Sequence, residues 1–361
     1  MATIDCMETT VLSYLPSLRG IRADRRRYHT LRWHEIGKVE QRKALASCRP
    51  NAYPIDLAAL ERGGFWEPEE EEPARILISA AGNRSRQHGI HCQCWSKPLP
   101  LHAIMRVSRD LYACSPAFAA LLYTRGRSLA ESLMLLMELL GTYTLPEGST
   151  LPISWGGCWP EDANRENVDQ AHVRCDPAVT PKELALMAKW ATSSADSTFR
   201  TAVKLACEGS NSPMESVLYG FFSPSRRFGG LGVGAFPGGM LLNHRIDFSS
   251  HAVHMASGVP YAICDAYVPA ARVDLEYNGS VHELVNQRIH DGQRNNGLRG
   301  MDVKVIVINR DQMRDVVALE AIADSLRRDA RQRRKAPLAG YRSRQASWLN
   351  GLRAGIGLKA V

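Results

Sequence analysis

The sequence predicts an α/β (α+β) chain, a mixed sheet flanked by helices behind a smaller N-terminal α+β domain. Three observations lead there. From 212 to 328, segments of helix and strand period follow in the order helix, strand, strand, strand, helix, strand, helix. Short strands and two helices share residues 75–140. A length of 361 residues suggests two domains rather than one.

Taken in order, residues 1–49 mix short apolar runs with basic residues and show no helix-turn-helix pattern. Residues 54–60 read as a short helix, and the acidic run 67–72 as a loop, since adjacent like charges repel and bury nothing. Residues 75–80 and 89–95 read as strands. A third, within 104–113, contains the turn-prone Ser108-Arg109-Asp110. Ser115-Pro116 opens a helix with proline where its missing N–H costs nothing. The apolar helix 128–140 stops at Gly141. These elements make a domain over 1–145. Residues 146–180, rich in Gly, Pro, Asn and Asp, read as a linker or ordered loop.

The second domain is expected over 181–330. Helices are predicted at 181–191 and 196–208. Ser212-Pro213-Met214-Glu215 then carries a proline at the first helical position and capping-box spacing, and opens a helix to 222. The glycines between 229 and 239 mark a flexible stretch, which lacks the strand–G-x-G-x-x-G–helix context of a phosphate-binding loop. Residues 241–248 read as a strand. Strands 261–268 and 272–277 flank the turn Pro269-Ala270-Ala271. A helix at 281–298, a β-branched strand at 303–308 and an amphipathic helix at 312–328 complete the domain. Residues 331–361 read as a basic tail.

Composition narrows the function classes. With 45% hydrophobic and 23% charged residues the chain has the profile of a soluble globular protein. It lacks the run of roughly 18 apolar residues that crosses a bilayer, and it is read as cytoplasmic. The net charge of +8 suits a polyanion such as DNA. Arg22, Arg25, Arg26 and Arg27 form one cluster and residues 327–335 another; both also suit solvated ends. Nine scattered cysteines fit reduced thiols. His88, His91, Cys92 and Cys94 lie within seven residues rather than in the two separated pairs of a structural zinc site.

The chemistry centres on the hairpin. Asp265 sits in an otherwise apolar strand, where a lone carboxylate is costly to bury, and Glu276 lies near the end of the next. Such a pair suits Mg²⁺ (or Mn²⁺), which takes one or two protein carboxylates and completes its shell with water. A hairpin centred on Ala270 pairs position 265 with 275 and 264 with 276. The two acids are then offset by one residue, and a bulge or twist is needed to bring them onto one face. Asp274 shares a face with Glu276 and competes for the role. Glu215 reads equally as a capping residue.

From 212 onward the ordered set Glu215, Asp265, Glu276-Tyr277-Asn278-Gly279, His282, Asp291-Gly292-Gln293-Arg294 and the strand 303–308 resembles Vsr-like endonuclease domains of the PD-(D/E)XK superfamily. The resemblance implies a restriction-endonuclease-like core and hydrolysis of DNA phosphodiesters. Asp265 and Glu276 would hold Mg²⁺, and Glu215 would assist. His282 would act as base or phosphate ligand, and Arg294 would pair with phosphate or with Asp291. The superfamily usually has a lysine two residues after the second carboxylate, and this branch often an aspartate; here Asn278 carries no charge. By position Lys304 is a substitute candidate. Residues 75–143 resemble, loosely, the middle domain of AbiEi-type antitoxin-like proteins, through the strands around Ile76 and Cys92, the Pro98-Leu99-Pro100 break and Cys114-Ser115-Pro116. That implies a defence or toxin–antitoxin context, with a protein partner. The alternative is a nuclease fold that has lost its chemistry and serves as a DNA-binding or antitoxin-like regulator.

Overall fold

The computed structural model describes residues 8–68, 72–146, 171–278, 285–333 and 339–361, and for 172 and 285–291 the backbone alone. The chain divides into two compact units, Met1–Ala206 with Gly355–Leu358 and Cys207–Ala354 with Lys359–Val361. The first is the larger, contrary to expectation.

In the first unit β1 (Thr10–Leu12), α1 (Leu15–Tyr28), β2 (His34–Glu35), α2 (Lys38–Ser47) and α3 (Leu57–Arg62) come before β3 (Ala74–Ile78) and β4 (Ile90–Cys94). Next are β5 (Ile104–Arg106) and β6 (Leu111–Cys114), the expected third strand divided by its turn, then α4 (Pro116–Thr124) and α5 (Leu129–Leu140). The short strands β7 (Tyr143–Thr144) and β8 (His172–Val173) pair with each other. Helices α6 (Pro181–Trp190) and α7 (Ser197–Leu205) complete the unit. The six-stranded sheet has the order β2-β5-β6-β1-β3-β4 and is mixed: β1 runs parallel to β6 and β3 to β4, the other pairs antiparallel.

Val11, Leu12, Leu18 and Ile21, from the N-terminal segment, lie in the core. Two expectations need correction here. Helices α6 and α7 belong to this unit, not the second, because Leu184, Met187, Phe199 and Ala202 pack into the same core. The first arginine cluster is in large part internal. Arg22 and Arg25 are buried, Arg22 bound at two points to Glu138 and Arg25 donating to the Glu138 and Gly141 carbonyls at the end of α5. The Glu138 carbonyl also accepts from the Gly141 amide at 3.2 Å, and the guanidinium adds donors for the carbonyls that a helix end leaves open.

The second unit runs α8 (Pro213–Phe222), β9 (Leu241–Asp247), α9 (Ser250–Met255), β10 (Tyr261–Val268), β11 (Val273–Asn278), α10 (Val285–Gly300), β12 (Lys304–Asn309), α11 (Val316–Asp329) and α12 (Tyr341–Gly355). Its sheet has the order β12-β11-β10-β9, antiparallel except for the parallel β11–β12 pair. The mixed α/β class is thus present. Helix α8 packs on β10 and β11, and α10 on β10 and β12. The expected basic tail instead contains α12, whose Tyr341, Trp348, Leu349 and Leu352 are buried at helical spacing. The Tyr341 hydroxyl donates to the Gly230 carbonyl and the Trp348 indole to that of Gly220, both at 2.8 Å. The glycine stretch is packed as well. A Cβ on Gly229 would come within 2.5 Å of the Arg344 carbonyl oxygen, and one on Gly230 within 2.3 Å of that of Pro224. These glycines serve close approach of backbones rather than flexibility. Among the described residues no helix is long and apolar enough to cross a membrane.

Candidate functional site

The hairpin register differs by one from the expected one. Ala266 faces Leu275, Tyr267 faces Asp274 and Val268 faces Val273. The cause is the turn. Pro269–Ala271 is a 3₁₀ turn, and Arg272 adds a fourth residue in the left-handed conformation (φ 52°) before β11 begins. Continued by one step, this register sets Asp265 opposite Glu276, without the offset.

The ladder stops at that step. The Asp265 carboxylate accepts a 3.4 Å bond from the Tyr277 amide, and the Ala266 amide donates to Asp274 Oδ1 at 3.3 Å. Pairing between β10 and β9 also skips Asp265, leaving Asn243 unmatched between Leu242 and His244. Asn243 takes a left-handed φ of 45°, tolerated by asparagine better than by most residues. The Cys264 thiol contacts the Asp274 carboxylate. In a regular strand Cys264 would face away from Tyr267 and its partner Asp274. The strand alternation is therefore broken at Asp265–Ala266, and four carboxylates gather around the break.

Glu215 is the first of them. It lies in the opening turn of α8, and its amide donates to the Ser212 side chain at 3.2 Å. That is half of a capping box. Its carboxylate turns instead to the Asn211 amide at 2.8 Å and to Asn243 Nδ2 at 2.6 Å. Burial raises its pKa against these bonds. Asp265 is shifted furthest. Burial, then the charges of Glu215, Glu276 and Asp274, push its carboxyl up to about 7, with Arg294 opposing. Asp274 is fully buried, and burial followed by Glu276 lifts it to about 6 against Arg294. Glu276, in β11, is half-buried.

Arg294 on α10 is the cation of the cluster. It pairs with Glu276, donates to Asp274 Oδ2 at 2.9 Å and to the Ile263 carbonyl at 2.6 Å. These three acceptors engage both terminal nitrogens of its fork. Asn278 is exposed at the end of β11. Lys304 is not brought in, since its ammonium lies 2.9 Å from Asp329. His282 and the Asp291 side chain lie outside the described residues. Asn243 was not singled out from the sequence. Its signal is an asparagine, unfavourable in strands, between Leu242 and His244.

The donor set suits a hard divalent cation. The site offers carboxylate oxygens, and among the described residues four acids gather with one guanidinium, a balance that a cation would offset. Among the described residues no group of three or more His, Cys, Asp or Glu is arranged to hold one ion. Asp265 and Glu276 are the two carboxylates that would hold such an ion, its shell completed by water.

No family model, no curated protein and no solved structure matches the chain.

Proposed function

We propose that the Cys207–Ala354 unit carries a Mg²⁺- or Mn²⁺-dependent site that hydrolyses DNA phosphodiesters, with Asp265 and Glu276 as ligands. The observation that carries this reading is the state of Asp265: a carboxylate held among three others at a break in the sheet, with its pKa raised to about 7. Such clustering and perturbation favour function over packing. A bound ion would polarise a phosphate oxygen and make water a better nucleophile. Arg294 would hold Glu276 and Asp274 in place, and Asn243 would fix Glu215 beside Asp265. His282 keeps the base role that the resemblance implies.

The test is cleavage of supercoiled and linear DNA by the purified full chain. Nicking is expected with Mg²⁺ or Mn²⁺, abolished by chelation and in Asp265→Asn and Glu276→Gln. Persistent cleavage in both variants would overturn the assignment.

One observation favours a second reading, a nuclease-like DNA-binding or antitoxin-like regulator without chemistry. Arg294 already neutralises Glu276, and Asn278 supplies no charge where a lysine or aspartate is usual. On this reading DNA binds with strong salt dependence and is not cut with any divalent metal.

A further inference from the structure

A second site lies in the first unit, away from the acidic cluster in sequence and opposite to it in charge. A cleft of about 590 Å³ opens between one face of α2 and the ends of β3 and β4. Ser79 directly follows β3, and Trp95 and Ser96 directly follow β4. The two strands are parallel neighbours, so the cleft stands at their carboxyl ends. Side chains and loops leaving the two adjacent parallel strands converge there.

The charged groups are of one kind. Lys38 and Arg42, one turn apart on α2, line one wall, and Lys97 lies in the loop after β4. Among the described residues no carboxylate lines the cleft, and none of these three cations has an ion-pair partner. Elsewhere in this unit exposed cations do find acids, as Arg106 finds Glu40 at 3.6 Å. The neighbouring Gln41 is already committed, its Oε1 accepting from the Ala103 and Ile104 amides. Trp95 adds an aromatic side chain to the lining. The remaining lining is Ser79, Ser96 and the apolar Leu45, Pro98 and Leu99.

We propose that this cleft binds an organic phosphate of about nucleotide size, its phosphates at Lys38, Arg42 and Lys97 and its organic part against Leu45, Trp95 and Leu99. Three unopposed cations call for more than one negative charge. Arginine and lysine supply, respectively, forked and point-charge recognition of phosphate. The volume is that of a small-molecule site. The site is independent of the nuclease reading, since its residues and those of the acidic cluster belong to different units.

Calorimetric titration of the full chain with ADP tests it. Saturable one-to-one binding is expected, weakening as salt is raised. Adenosine should not bind, and pyrophosphate should bind more weakly than ADP. Arg42→Gln/Lys97→Gln should weaken ADP binding by about tenfold or more. Both side chains are exposed, so the fold should be retained, and Lys97→Gln alone, in a loop, gives a second reading of the same effect. Asp265→Asn should leave binding unchanged. Absence of ADP binding at millimolar concentration, or equal affinity in wild type and both variants, would overturn the proposal.

Discussion

Arg294 and Asp274 form an ion pair at 2.9 Å, between a helix and a strand 20 residues apart in sequence, with the aspartate fully buried. Removing one partner of a buried pair leaves an uncompensated charge. Arg294→Ala should therefore destabilise the chain by about 3–5 kcal/mol near pH 8, measured by urea denaturation. Because the Asp274 carboxyl titrates near 6, a proton can replace the guanidinium at lower pH. The defect should shrink markedly at pH 5. A defect of equal size at both values would show that Arg294 acts by packing alone.

Asp265 makes the opposite prediction. Its carboxyl is raised from 3.8 to about 7, so the folded protein holds this proton more tightly than the unfolded chain. Stability attributable to this group is full below pH 4 and is lost as pH rises towards 7. Asp265→Asn removes the charge that must be buried. It should raise stability at pH 8 by an amount on the order of 2 kcal/mol, and have little effect at pH 4. Mg²⁺ should raise the Tm of the wild-type chain at pH 8, since an ion that binds only the folded state stabilises it. The variant should not respond. An unchanged Tm on adding millimolar Mg²⁺ to the wild type would remove the metal from the proposed function.

Much of this region was legible beforehand because its signals are local. Alternation places β10 over 261–268, and proline with a serine cap places the start of α8. The hairpin register was not legible. It depends on whether Arg272 joins the strand or the turn, and its left-handed backbone puts it in the turn. The break at Asp265 was expected in kind, as a bulge or twist, but its partner Asn243 comes from a strand that sequence spacing does not connect to it. The buried role of Arg22 and Arg25 was hidden for the same reason. Their acceptors lie more than a hundred residues away, and a run of arginines on its own resembles a solvated surface. Helix α12 was legible in its apolar spacing, and the density of arginines around it obscured that.

Asn243 couples a backbone constraint to a hydrogen-bond network. Its side chain donates to Glu215 and the Gly209 carbonyl and accepts from Asn211 Nδ2 at 2.6 Å. Asn243→Ala should cost about 1–3 kcal/mol, because it removes one of the bonds to a buried carboxylate and places alanine at a positive φ. Asn243→Gly restores the backbone freedom but not the hydrogen bonds, and should recover only part of the loss. Full recovery by glycine would mean that backbone conformation, not the bonds to Glu215, is what the asparagine provides.

Glu138 is the hub of the first unit. Burial alone would raise its pKa, but the Arg22 guanidinium, bound at 2.8 and 2.5 Å, together with the Leu145 amide and Arg25 lowers it. It also accepts from the Thr144 hydroxyl at 3.2 Å, so one carboxylate ties the end of α5 to α1 and β7. Glu138→Gln keeps the shape and removes the charge, leaving Arg22 without its counter-ion in the interior. The expected loss is about 3–5 kcal/mol at pH 7. A lowered carboxylate pKa means stability that is present above the ordinary range, near 4.5, and is lost as pH falls through the folded value. The wild type should therefore lose stability on acidification where the glutamine variant does not, so the gap between their denaturation midpoints should narrow below pH 4. Arg22→Met/Glu138→Leu, which replaces both partners with apolar groups, should recover most of the loss. If the double variant is no more stable than Glu138→Gln, the bonds of Glu138 to Thr144 and Leu145, rather than its charge pair, hold this part of the core together.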